Sequence, residues 1–274
     1  MNKLISYARY LAIVLISALC LTPFAILLIL SLTTPQRNFY DGNMFLPDFY
    51  FLNFIEGWKQ SHIGRAMINS GIITVLAILL IVILATMAGY AIARFSNKLN
   101  KAIFAILLCC MMVPGIINTV PLYSLMISLK AVNTLWGMAC ACATLAIPQA
   151  VFVFTGFIKA LPGEIEEAAI IDGCSHFQVF WKIIFPLLKP SISAVIILNG
   201  FGIWNNYAQS VFFLQDSTKH NVPQALSVYF QQFAGAKWNL LAATAVIAII
   251  PVVIVFLVFQ KNLMQGLTDG ALKG

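Results

Sequence analysis

Residues 161–190 read LPGEIEEAAIIDGCSHFQVFWKIIFPLLKP, from Leu161 to Pro190, and hold four of the chain's nine acidic residues between two long apolar runs. Pro162 sets up a helix start, and Glu164, Glu166 and Glu167 fall in the first turns, where carboxylates meet the positive end of the helix dipole. Gly173 supplies a residue that tolerates positive φ at a helix C-terminus. Ser175 and Gln178 then have the spacing of a capping box that starts a second helix at once. The expected shape is helix, sharp turn, helix. In the second helix Phe177, Phe180, Trp181, Ile184 and Leu188 repeat at three and four residues, a single apolar stripe leading past Pro186 to Pro190. The middle of the first helix is Ala168 and Ala169, small enough for another backbone to come close. Glu166, taken alone, reads as a solvated carboxylate.

The rest of the chain is membrane-like. With 61% hydrophobic and 9% charged residues over 274 positions, it lies far from soluble-domain composition. Six spans of roughly bilayer length are expected, over 10–32, 72–93, 103–129, 134–158, 192–213 and 240–259, in one transmembrane domain covering 1–274. The first run follows Lys3 and Arg9 but is too long for a cleaved signal and lacks a small-residue cleavage site, so it reads as a retained helix. With the N-terminus inside, ten of the sixteen Lys and Arg fall on inner segments and six on outer ones. That bias puts 161–190 and both termini in the cytoplasm. It also accounts for the net charge of +7 without nucleic acid.

Several kinds of chemistry are disfavoured. The six cysteines show no C-x-x-C spacing, His62, His176 and His220 are scattered, and there is no G-x-x-x-x-G-K-[ST] loop. No metal site, no cofactor and no catalytic residue is expected, and if ATP drives this protein another chain must bind it. All nine acids fall outside the spans, whereas an ion-coupled carrier usually keeps an ionisable group in the membrane. A secondary transporter is therefore the weaker alternative, and a membrane-embedded enzyme weaker still. Pro114, Gly115 and Pro121 in the third span and Pro148 in the fourth imply kinked helices, either around a translocation path or simply shaping the packing.

Glu167, Ala168, Ala169, Gly173, Ile183 and Pro186 fit the spacing E-A-A-x3-G-x9-I-x-L-P, with Phe185 where the pattern has Leu. This resembles the cytoplasmic signature of permease subunits of bacterial ABC importers. The resemblance implies an all-α type I ABC importer permease fold. It makes 161–190 the loop whose coupling helix, through Glu167, Ala168, Ala169 and Gly173, docks on a separate ATPase that binds ATP and Mg. The ending FQKNLMQGLTDGALKG and the pair Trp204 and Asn205 are similar to the carbohydrate-uptake branch, the maltose and glycerol-phosphate type, and most to the maltose system's shorter permease. By that likeness Gly266, Gly270, Lys273 and Gly274 belong to a tail entering the ATPase interface. The implied protein is half of the translocation pathway of a sugar importer in the bacterial cell (inner or plasma) membrane. Its implied partners are a second permease, two ATP-binding subunits, an external solute-binding protein, and a sugar or oligosaccharide.

Two further regions carry expectations. Asn199, Gly202, Asn206 and Gln209 recur at three and four residues, with Asn205 beside them, so a continuous fifth helix would gather them on one inward face. That face either lines the substrate pathway or hydrogen-bonds a neighbouring helix. The outer segment 214–239 is longer and more polar than a turn requires. Within it Gln231, Gln232, Phe233 and Gly235 sit where the maltose-type relative reaches into its binding protein, against the alternative of a solvated hairpin. The segment 33–65, rich in Phe, Tyr and Trp, reads as an interface anchor.

Overall fold

Backbone in lipid must bond to itself, and where the apolar runs are uninterrupted the chain does so as single helices. The computed structural model describes residues 2–36, 46–230 and 237–271, of which 2–5, 8 and 261–271 are described as backbone alone. Among the described residues every regular element is helical. They are α1 (Asn2–Ser31), α2 (Leu52–Gln60), α3 (Ile63–Arg94), α4 (Lys98–Met111), α5 (Thr119–Ser128), α6 (Leu135–Ala160), α7 (Glu164–Ile171), α8 (His176–Val179), α9 (Phe185–Leu187), α10 (Lys189–Trp204), α11 (Ser210–Phe213), α12 (Val222–Ser227) and α13 (Trp238–Ala271). Helices α1, α3, α6 and α13 are long and apolar enough to cross a membrane, and α8 through α10 form a pair bent by 69° that passes the same test together.

Two of the six expected spans are not continuous helices. The third, 103–129, is α4 and α5 separated by an irregular stretch over 112–118. Pro114 lacks an N–H and restrains Val113, so α4 tightens into Met112 N–H to Cys109 and Val113 N–H to Cys110 carbonyl bonds and stops. The fifth, 192–213, ends as a helix at Trp204. The amide of Asn205 turns back to the Phe201 carbonyl at 3.0 Å, and the backbone leaves the helical path.

The chain forms two compact units. In the unit built from 1–64 and 225–250, the Asn53 amide donates to the carbonyls of Ser31 and Thr33 at 2.9 and 2.8 Å and accepts from Asn239 at 2.7 Å. The Tyr229 hydroxyl donates to the Gly57 carbonyl at 3.0 Å, and a Cβ on Gly57 would sit 2.5 Å from Thr244 Oγ1, so that approach requires glycine. Helix α2 lies in the aromatic segment, with Phe49, Phe51 and Trp58 exposed.

In the unit built from 65–224 and 251–274, Ile73, Ala77, Ile81 and Ala85 place one face of α3 in the core. Small side chains on α6, among them Ala139, Ala143 and Ala150, let its neighbours close in. Gly89 lies in a close α3–α6 approach, since a Cβ there would lie 3.0 Å from Phe154 Cβ. Helix α3 has 32 residues, about 48 Å at 1.5 Å per residue, against a hydrocarbon core of about 30 Å. It is thus longer than one crossing requires, and its C-terminal turns carry Tyr90 and Arg94.

Candidate functional site

The segment after α6 is assembled from short-range signals. Gly163 accepts from the N–H groups of Glu166 and Glu167 at 2.9 and 3.1 Å, and α7 starts there with three glutamates in its first turn. It ends in a reciprocal cap: the Gly173 N–H reaches the Ile170 carbonyl and the Cys174 N–H the Ala169 carbonyl, both at 3.0 Å. That geometry needs positive φ, and Gly173 has φ of +88°. Helix α8 begins with both bonds of the capping box, Gln178 N–H to Ser175 Oγ at 3.3 Å and Ser175 N–H to Gln178 Oε1 at 2.9 Å.

Beyond α8 the path differs from the single amphipathic helix that the periodicity implies. Phe180–Ile184 is a π-helical turn in which the Phe185 N–H bonds the Phe180 carbonyl. Pro186 explains it, because its ring excludes the carbonyl four residues back and it has no N–H to offer. Phe180, Ile184 and Leu188 are buried, but Phe177 is 66% exposed and falls off the expected stripe. Ile171, at the end of α7, is also open, at 85% exposed.

Helix α7 has two faces. Glu167, Ala168 and Ile171 are open, whereas Glu166 and Ala169 are buried. Glu166 is thus not the solvated carboxylate that local reading suggests. Its Oε1 accepts from Arg94 Nε at 2.6 Å and its Oε2 from the Tyr90 hydroxyl at 2.9 Å, while Arg94 Nη2 donates to the Leu161 carbonyl at 3.0 Å. Tyr90 and Arg94 are four apart on α3 and so present donors from one face. The Tyr90 ring packs 5.3 Å from Phe180, and Phe95 lies 5.9 Å from His176. One signal of this joint is present in the sequence: Tyr90 and Arg94 at helical spacing end a span, and α7 offers three acids in need of a partner.

At the other end of this unit the polar residues expected on one face of the fifth span are divided. Asn199 bonds within α10, to the Val195 carbonyl at 3.2 Å, and Gly202 is exposed. Asn205 ends the helix. Asn206 and Gln209 lie beyond it, paired through Asn206 Nδ2 and Gln209 Oε1. Because the helix stops at Trp204, the shared-face derivation does not hold for these last two. Asn206 is instead a junction: its carbonyl accepts from Asn221 Nδ2 at 2.6 Å and Ser210 Oγ at 2.8 Å, and its amide reaches Cys142 Sγ on α6 at 3.7 Å.

The following segment is folded onto the unit by amides and a hydroxyl that no sequence motif singles out. Asn69 donates to the carbonyls of Thr218 and His220 at 3.0 and 2.9 Å, Ser70 accepts from the Val222 N–H at 2.9 Å, and Asn133 accepts from the Asp216 N–H at 3.0 Å. Hydrogen bonds from the Thr218 backbone and hydroxyl hold the Asp216 carboxyl below its ordinary range. Burial lowers the pKa of His220, and the nearby Asp216 opposes that shift.

Of the remaining site residues, Gly266 and Gly270 belong to α13, while Lys273 and Gly274 lie outside the described residues. Gln231, Gln232, Phe233 and Gly235 also lie outside them. The described residues hold no group of three or more His, Cys, Asp or Glu placed to bind a metal.

Residues 81–269 match the family described as "Binding-protein-dependent transport system inner membrane component". Among curated relatives, the melibiose/raffinose/stachyose import permease protein MelC of Bacillus subtilis (strain 168) is 39% identical over 92% of this chain and 91% of its own length. The probable starch degradation products transport system permease protein AmyC of Thermoanaerobacterium thermosulfurigenes is 32% identical over 95% of this chain and 94% of its own. Among solved structures, a chain of a bacterial ABC transporter involved in the import of the acidic polysaccharide alginate superposes with a TM-score of 0.78 at 20% identity, covering 95% of this chain and 96% of that one. The likeness to the solved structure is one of fold.

Proposed function

Since the chain belongs to the binding-protein-dependent transport system inner membrane components, we propose that it is one of two permease subunits of an ATP-driven importer of neutral oligosaccharides. The observation that carries this reading is the two-faced α7, tied by Glu166 to α3 and open on the side of Glu167, Ala168 and Ile171. An exposed apolar and acidic face on a rigidly capped helix fits a protein partner. Here the partner is an ATPase that binds ATP and Mg itself, this chain supplying no catalytic residue and no cofactor. In this arrangement 161–190 and both termini are cytoplasmic, in the bacterial cell membrane. The C-terminal residues Gly266, Gly270, Lys273 and Gly274 add to the ATPase interface.

Transport follows from alternating access. Closure of the ATPases moves α7, and the spans pass from inward-open to outward-open, a coupling that requires nucleotide to favour one state over the other. Asn199, Gly202, Asn205, Asn206 and Gln209 are placed beside the path as uncharged residues, which suits sugar hydroxyls, with the Asn199, Asn205 and Asn206 amides also bonded within the chain. The named substrates of MelC and AmyC support the same class. An external binding protein delivers the sugar, with Gln231, Gln232, Phe233 and Gly235 as its contact. The test is uptake of labelled raffinose-type sugars into proteoliposomes holding both permeases and the ATPase with loaded binding protein. Uptake should require internal ATP and persist with an ionophore; uptake that collapses with the ionophore and ignores ATP removes the reading.

A further inference from the structure

Arg94, Tyr90 and Glu166 have no part in the E-A-A spacing, yet they make the strongest polar connection described between α7 and the rest of its unit. Three features separate them from an ordinary surface pair. The Arg94 and Glu166 side chains are 18% and 10% exposed, so solvent screens them little. Both carboxylate oxygens are used, by donors from successive turns of one helix. And Arg94 holds two elements at once, its Nε on α7 and its Nη2 on the carbonyl that ends α6.

The surroundings reinforce the same joint. Asn100 donates to the carbonyls of Ala91 and Phe95 at 3.0 and 2.7 Å, closing the end of α3. Ala169, one turn from Glu166 on the same face of α7, is also buried. The neighbouring connection from α7 to α8 turns about Gly173, where a Cβ would meet nothing within 4 Å. α7 is therefore gripped on the α3 side by charge, while α8 and the π-helical turn after it meet the same end of α3 through rings, Phe95 against His176 and Tyr90 against Phe180.

We infer that the Tyr90–Arg94–Glu166 cluster is the strut that delivers movement of α7 to α3, making the start of 161–190 move as one body with the longest span of its unit. Arg94 and Glu166 are positioning residues in this scheme, since they touch neither sugar nor nucleotide. The inference rests on the proposed function and adds to it the route: α3 is driven through a charged joint, backed by the ring contacts that Phe180 and His176 make on the same end of α3. A side chain that only helped α7 to fold would change yield and stability together and leave the sugar-to-ATP ratio alone. A strut changes that ratio.

The experiment measures sugar taken up per ATP hydrolysed in the complete reconstituted transporter, for the wild type and for Arg94→Ala, Glu166→Gln and Tyr90→Phe. For Arg94→Ala the ratio should fall about tenfold, within the span of coupling changes reached without touching a ligand. Glu166→Gln should fall less and Tyr90→Phe least, following how much of the joint each substitution removes, and Arg94→Lys should recover part of the loss. If Arg94→Ala fails to assemble, the near-isosteric Glu166→Gln and Tyr90→Phe carry the test by the same ratio. Wild-type ratios in all variants that assemble overturn the strut and leave the importer reading standing. A wild-type transporter with no ATP-driven uptake overturns both.

Discussion

The two ends of the larger unit are held by different means. At the α7 end a single charged cluster joins α3, α6 and α7 through three hydrogen bonds. At the opposite end the segment 205–224 is pinned by neutral amides: Asn69 and Asn133 bond its backbone from outside it, and Asn221 bonds the Asn206 carbonyl within it. Charge concentrated in one joint makes a connection that is strong and easily broken by one substitution. Amides spread over many carbonyls make one that degrades gradually. Under the proposed function, the first suits a joint that transmits force and the second a wall that keeps its shape.

The largest expected effect is at the charged joint. Glu166→Ala strands the Arg94 guanidinium in a mostly closed setting and should cost about 3 kcal/mol of stability, the low end for a broken buried pair. Thermal unfolding in detergent should show a loss that added salt does not remove. A change that matches a surface pair, under about 1 kcal/mol, would show that the joint is solvated.

Next comes the amide end. Asn206→Ala should cost about 2 kcal/mol, because it leaves Gln209 without its partner atoms in a half-closed site. Asn199→Ala, which removes only a bond within its own helix, should cost less. Equal losses at both positions would erase the distinction between a junction and an ordinary helical amide.

Gly173→Val should cost about 1–2 kcal/mol through backbone strain alone, since φ at Gly173 is +88° and no neighbour stands in the way. In the transporter it should also weaken coupling; intact uptake by a stably assembled Gly173→Val variant would remove the turn from the mechanism.

The smallest effect is a pH dependence at the amide end. His220 is held below its usual pKa by burial, so the folded state favours the neutral ring. Its contribution is complete above about pH 6.5 and is lost as pH falls below that value. Asp216, lowered by hydrogen bonds, acts in the same direction at more acid pH. Unfolding temperature should drop gently on acidification, and His220→Gln should flatten that slope above about pH 5, where carboxylates have yet to titrate; a slope unaffected by the substitution would assign it elsewhere.

Legibility in the sequence follows the range of the interactions. The glutamates of the α7 first turn, the Gly173 turn and the Ser175–Gln178 box are all determined within four residues, and each stands where local reasoning places it. The Tyr90–Arg94–Glu166 joint escapes such reasoning because Tyr90 and Glu166 are 76 positions apart and nothing local distinguishes Glu166 from Glu164 or Glu167. The breaks at 112–118 and 205–209 are invisible to hydropathy, which ignores backbone donors. Pro114 ends α4 and Asn205 ends α10 while the surrounding side chains remain apolar. Among the described residues, four long helices and one bent pair are long and apolar enough to cross, where hydropathy alone implies six spans.

Docking of the ATPase on the open face of α7 underlies the whole coupling scheme. A single cysteine at Ala168, in a chain cleared of its own six, should cross-link through a short bis-maleimide to one ATPase subunit in the assembled transporter, with a yield that changes between nucleotide-free and ATP-bound states. If Ala168→Cys in the intact assembly reacted freely with a water-soluble maleimide and formed no ATPase adduct in either state, α7 would face solvent and the docking assignment would be wrong.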